Sequence, residues 1–121
     1  MKHVFTVAGV GLAAAFVVVF FTGRLDSKHL AAVAPRVGMN ASELDALVPR
    51  IAAQSGATAG TARRVVYLLA CSGVPTSATI EATARDAANI TEKQRMTARQ
   101  ATVVVLSGSP VEDSTSPLSD C

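Results

Sequence analysis

The sequence predicts an all-α protein: one N-terminal transmembrane helix, then a small bundle of about four helices forming two helical hairpins, then a disordered tail. Three observations predict it. Residues 4–22 carry no charge; between residues 40 and 106 apolar positions recur at helical spacing beside repeated cap and stop residues; and residues 107–121 are almost all small or polar. A chain of 121 residues and 12.4 kDa holds one small domain, or an anchor and a smaller one, which excludes a multidomain enzyme. With half its residues hydrophobic, a net charge of +2 and a mean hydropathy of +0.37, it is not a disordered chain. Two cysteines fifty positions apart close at most one bridge, so it is not a disulfide scaffold either.

The anchor is read over residues 1–23. All four phenylalanines (Phe5, Phe16, Phe20, Phe21) lie in the uncharged run VFTVAGVGLAAAFVVVFFT. A helix of nineteen residues spans about 28 Å, close to the roughly 30 Å of bilayer hydrocarbon. Being apolar on every side it needs lipid or a large protein around it, and the rest of the chain is too short to wrap it. A cleaved signal peptide is the competing reading. The run is longer than the roughly 7–15 residues of an h-region, and Phe20-Phe21-Thr22-Gly23-Arg24 puts large side chains where cleavage needs small ones. Ala32-Val33-Ala34 has the right shape but comes late and is followed by Pro35. An uncleaved signal-anchor is therefore expected. Gly9-Val10-Gly11-Leu12-Ala13-Ala14 also fits the G-x-G-x-x-A of a dinucleotide turn, yet the following LAAAFVVVFF has no polar face and no βαβ unit comes after it. The pairs Gly9 with Ala13 and Gly11 with Ala15 instead make a candidate face for close helix packing in lipid. Lys2 precedes the span while Arg24, Lys28 and Arg36 follow it. Counting flanking cations leans toward a cytoplasmic C-terminal region, whereas a short N-tail is equally typical of the reverse, so both orientations stay open.

Residues 24–38 read as a connector with a short helical piece ended by Pro35 and Gly38. The helical domain is expected over residues 39–106. Asn40-Ala41-Ser42-Glu43 is a capping-box pattern, followed by Leu44, Leu47, Val48 and Ile51 as an apolar stripe and Gly56 as a stop. Pro49 inside this run removes a ladder donor and predicts a kink or a restart. A second helix is expected from near Thr58 to Ser72, stopped by Gly73 and Pro75. A third fits Ser77 to Ala88; a fourth fits Thr91 to Leu106, opened by Thr91-Glu92-Lys93-Gln94 and closed by Gly108 and Pro110. The runs Val65–Cys71 and Val103–Leu106 are apolar on all sides, and strands are an alternative for both. Thr61-Ala62-Arg63 and Thr97-Ala98-Arg99 form a faint repeat 36 residues apart, consistent with two packed hairpins. Tyr67 is the only aromatic after residue 21 and alanine is abundant, so close helix packing or self-association must supply stability.

Twelve of the fifteen residues of the tail, Ser107 to Cys121, are Ser, Thr, Pro, Gly, Asp or Glu, which predicts disorder. The tail holds three acids and no base, against eleven bases and six acids before it, so positive charge concentrates upstream.

Met39-Asn40-Ala41-Ser42-Glu43-Leu44, Ile51-Ala52-Ala53-Gln54-Ser55-Gly56-Ala57-Thr58 and Ala62-Arg63-Arg64 together resemble the opening helical hairpin of the histone-like HU family over residues 39–69, with an insertion around Val48-Pro49-Arg50. In that family the hairpin makes the dimer and β-arms grip DNA. Nothing after residue 72 resembles those arms, so the likeness implies a dimerising hairpin at most.

Arg63, Arg64, Arg85, Lys93, Arg95 and Arg99 form a candidate basic face for the phosphates of nucleic acid or anionic lipid. Glu81, Asp86 and Glu92 interleave with them, and a solvated helix face is the plainer account. Leu68-Leu69-Ala70-Cys71 resembles a lipobox, but it lies far from the start of the chain, and a small buried cysteine at a helix end accounts for Cys71 better. Pairing of Cys71 with Cys121 would require an oxidising compartment and stays open. The sequons Asn40-Ala41-Ser42 and Asn89-Ile90-Thr91 coincide with expected helix starts, where these residues serve as caps. His3 and His29 have no cysteine, carboxylate pair or second histidine at metal spacing, and there is no P-loop, G-x-S-x-G or CxxC. No catalytic residue, metal or cofactor is therefore expected. The expectation is a non-catalytic single-pass protein of a bacterial inner membrane, a subunit, anchor or modulator of a membrane assembly. Its partners would be membrane lipid and other subunits or a second copy. A nucleic-acid-associated helical module and a phage-type lysis or membrane-permeabilising protein are the alternatives.

Overall fold

The computed structural model describes residues 27–112 and 116–121. Among these residues the chain forms five α-helices and no strand: α1 (Ser27–Val33), α2 (Ala41–Ser55), α3 (Ala59–Ser72), α4 (Ile80–Gln94) and α5 (Ala98–Ser107), with a 3₁₀ turn at Ala34–Val37. No helix among the described residues is long and apolar enough to cross a membrane. The expected anchor, with the Gly9/Ala13 and Gly11/Ala15 pairs, lies outside them.

The apolar run Val65–Cys71 is helical, and its all-round hydrophobicity has a structural cause. Helix α3 touches each of the other four helices and the 3₁₀ turn, so nearly every side of it faces protein. Val65, Val66, Leu68, Leu69, Ala70 and Cys71 are all buried. Helices α2 and α3 pack on each other, as do α4 and α5, and α4 lies against both members of the first pair. This is the expected arrangement of two hairpins in contact. Fully covered alanines (Ala62, Ala70, Ala84, Ala87, Ala88, Ala101) let the helix backbones approach closely, while Leu30, Leu44, Ile51, Leu69 and Ile80 fill the interior. Each of those larger side chains contributes about 1.5–3 kcal/mol by leaving water.

Within the expected connector, the described residues 27–38 pack as part of the bundle. Leu30 and Ala34 are fully buried, Val33 and Val37 nearly so, and α1 packs against α2 and α3. The His29 ring meets Tyr67 edge-on at 6.4 Å between centroids. The spacing 30, 33, 34, 37 is a helical stripe, so this piece belongs to the bundle, which begins by Ser27 and not at residue 39.

The capping box at Asn40 forms: the Glu43 N–H donates to Asn40 Oδ1 at 2.8 Å and the Asn40 N–H to Glu43 Oε1 at 3.2 Å. Helix α2 continues through Pro49 instead of restarting. Pro49 is exposed, so the carbonyl deprived of its donor one turn earlier can be hydrated. Gly56 ends the helix at φ 77°, a conformation that costs glycine little.

The boundary between the last two helices falls elsewhere than the sequence predicts. Helix α4 starts at Ile80, after a turn in which the Thr76 carbonyl accepts from the N–H groups of Thr79 and Ile80, and it runs on to Gln94. Thr91 is not a cap; its Oγ1 donates to the Ala87 carbonyl at 3.0 Å inside the helix. No glycine or proline lies between Ile80 and Arg95, so nothing halts the helix at Asn89. Arg95 stops it in the left-handed region at φ 53°. Thr97 then caps α5, accepting from the Gln100 N–H at 3.1 Å while Gln100 Oε1 accepts from the Thr97 N–H at 3.1 Å. The true start signal is thus the Thr97…Gln100 box. It matches Thr58, the cap of α3, and so shifts the repeat: Thr58-Ala59 corresponds to Thr97-Ala98.

The tail departs most from expectation. Leu118 is fully buried against Leu68 and Val103, within a turn at 117–120. Cys121 is bonded to Cys71, with 6.1 Å between the two Cα atoms. Composition predicts disorder here because it averages over residues; two apolar anchors, Leu118 and Cys121, are enough to seat the end of the chain.

Candidate functional site

The six candidate basic residues are spread over three helices and one turn. Arg63 is half-buried on α3, its Nε enclosed without a hydrogen-bond partner, while the neighbouring Arg64 is exposed. Arg85 is exposed on α4, 3.8 Å from Asp86. Lys93 lines a groove between α4 and α5 of about 550 Å³, with Asp86, Asn89 and the partly open apolar side chains Ile90, Val104 and Val105. Arg95 is exposed at the turn that ends α4.

Arg64 and Arg99 are brought together. Both line a cleft of about 610 Å³ at the N-terminal ends of α3 and α5, beside Gly60, Thr61 and Thr97. They also line an adjoining cavity of about 190 Å³ whose other walls are Tyr67, Leu68 and Cys121. The helix starts point backbone N–H groups toward this end of the bundle, although Thr58 and Thr97 already accept one each. The positive charge of Arg99 is answered from the tail. Its Nε donates to Glu112 Oε2 at 2.9 Å, a second nitrogen reaches the other carboxylate oxygen, and Nη2 also donates to the Leu118 carbonyl at 2.7 Å. A guanidinium so engaged is a fastener more than a free phosphate ligand.

Cys121, one end of the crosslink to Cys71, lines this cavity. Cys71 sits at the end of α3, 7% exposed, and Cys121 is half-buried. From the 3₁₀ turn Arg36 Nη1 donates to the Cys71 carbonyl at 2.9 Å and lies 3.6 Å from its Sγ. One locus therefore joins three parts of the chain: the turn after α1, the end of α3 and the C-terminal residues. Composition alone hides it. Its signals were the two cysteines, the one leucine in a polar tail, and Arg36 beside Pro35 at the end of an apolar stripe.

Among the described residues no three His, Cys, Asp or Glu side chains are grouped to hold a metal ion. The segment that resembles the HU hairpin falls on α2 and α3, whose apolar residues Leu44, Ile51, Val65 and Leu69 are covered inside this bundle. Comparison with protein-family models, with curated proteins and with solved structures gives no match.

Proposed function

We propose that this chain is a non-catalytic, single-pass membrane protein that displays a disulfide-closed helical domain on the oxidising side of the membrane, as a subunit or modulator of a membrane assembly. The observation that carries the reading is the Cys71–Cys121 bond. Such bonds persist outside the reducing cytosol, in a periplasm or an equivalent compartment. The uncharged run 4–22 supplies the membrane segment, and the bundle begins only a few residues beyond it. The flanking cations argue less strongly for the opposite orientation once the fold is known. Arg36 is occupied by the carbonyl of Cys71, so its presence has a structural reason apart from topology.

The test uses the full chain expressed in bacteria. Alkaline carbonate should leave it in the membrane pellet. Protease added to spheroplasts should digest the domain, and a maleimide should label the denatured protein only after reduction. A shortened product in the supernatant would establish a cleaved, exported protein instead. Free thiols with protection from protease would place the domain in the cytoplasm and overturn the reading. A nucleic-acid role would show as a DNA mobility shift at about 50 mM salt that weakens steeply as salt rises; the engagement of Arg99 by Glu112 speaks for no shift. Growth arrest on induction that depends on the Gly9/Ala13 pair would favour a lysis protein.

A further inference from the structure

The two sulfurs of the crosslink have unlike surroundings. Cys71 is enclosed at the end of α3 with the Arg36 guanidinium 3.6 Å from its Sγ. Cys121 is less covered and lines the small cavity with Arg64, Tyr67, Leu68 and Arg99, whereas Cys71 is only 7% exposed. In thiol–disulfide exchange the more accessible sulfur is attacked, and the other leaves more readily when its thiolate is stabilised. A neighbouring guanidinium provides that stabilisation. The carbonyls at the end of α3 oppose negative charge at Cys71. Arg36 relieves part of this opposition, since it donates to the Cys71 carbonyl with the same nitrogen. Access and leaving-group stability select the same direction of attack.

We propose that the Cys71–Cys121 bond is an exchange site for small thiols, attacked at Cys121 through the cavity and releasing Cys71 as a thiolate beside Arg36. The attacking thiolate forms a new S–S bond with Cys121 Sγ as the Cys71–Cys121 bond breaks, and the bonding pair stays on Cys71 Sγ. A second thiol then attacks the external sulfur of the mixed disulfide. Cys121 leaves as a thiolate and takes a proton from water; the two thiols are oxidised to their disulfide and the protein gains two electrons. Once the bond is open, the turn that carries Leu118 keeps its apolar contact with Leu68 and Val103 and its hydrogen bond from Arg99.

The experiment takes the purified, oxidised full chain with reduced glutathione, in native buffer and in concentrated urea. Acid and N-ethylmaleimide quench the reaction, and peptide mass spectrometry locates each adduct. In native buffer glutathione should be found on Cys121 and maleimide on Cys71, with about a tenfold excess over the reverse; in urea the ratio should fall toward one. Equal partition, an excess on Cys71, or no native adduct where urea yields both would overturn the proposal.

Discussion

Arg99, in the first turn of α5, donates to the backbone carbonyl of Leu118, nineteen residues further along, at 2.7 Å. The same guanidinium holds Glu112, so one side chain fastens the returning chain at two points. The arrangement makes Arg99 a stabilising residue first and a surface cation second. Arg99→Ala should cost about 1–2 kcal/mol in urea unfolding, and Glu112→Gln less than about 1 kcal/mol, because that pair is partly exposed. A double-mutant cycle should return a coupling of about 0.5 kcal/mol or more. Additive effects would show that the contact does not persist in solution.

Leu118 and Val111 provide an internal contrast. Leu118 is fully buried and Val111 is 76% exposed, although both lie in the same polar stretch. Leu118→Ala should destabilise by about 2–3 kcal/mol, whereas Val111→Ala should fall within about 0.5 kcal/mol of the parent. Thermal melts of the two variants decide whether the end of the chain belongs to the core.

The crosslink closes a loop with a sequence separation of 50. The chain-entropy relation puts the stabilisation from a loop of that size at about 4 kcal/mol, with 2–4 kcal/mol typical. Cys71→Ser with Cys121→Ser should lower the urea midpoint accordingly. Reduction of the parent should do the same; an unchanged midpoint would mean that the bond contributes nothing to folding.

Capping distinguishes Thr97 from Thr91. Thr97 accepts the Gln100 N–H at the start of α5, while Thr91 bonds back to Ala87 within α4. Thr97→Ala should cost about 1 kcal/mol and Thr91→Ala nearly nothing. The sequence pattern taken alone predicts the opposite order, so chemical denaturation of the pair tests the observed boundary directly.

Arg95 is the only described non-glycine residue with positive φ. A side chain in that region carries a penalty of roughly 1 kcal/mol that glycine escapes. Arg95→Gly should therefore stabilise the protein by about 0.5–1 kcal/mol, read as a rise in melting temperature, although it removes a charge. A loss of stability would show that the arginine makes contacts worth more than the backbone penalty.

The helical class, the two-hairpin arrangement, the Asn40 box and the limits of α2 and α3 are all legible in the sequence. Each rests on a local signal: a stripe at helical spacing, an Asn or Thr whose side chain meets an N–H three residues on, a glycine that accepts positive φ. Such signals act within one or two turns, so the chain announces them without reference to distant residues. Where two local signals compete, as at Thr91 and Thr97, the sequence does not rank them. The tertiary structure does: the helix runs on to Gln94, and the capping box formed is the one at Thr97. The inclusion of α1 in the bundle, the seating of Leu118, the pairing of Cys71 with Cys121 and the approach of Arg36 to that pair belong to the tertiary structure alone. The hydrogen-bonded and crosslinked pairs among them lie 19 to 50 residues apart in the chain. Contacts between residues so far separated in sequence exist only once the intervening helices have packed, and no pattern read along the chain can encode which of them meet.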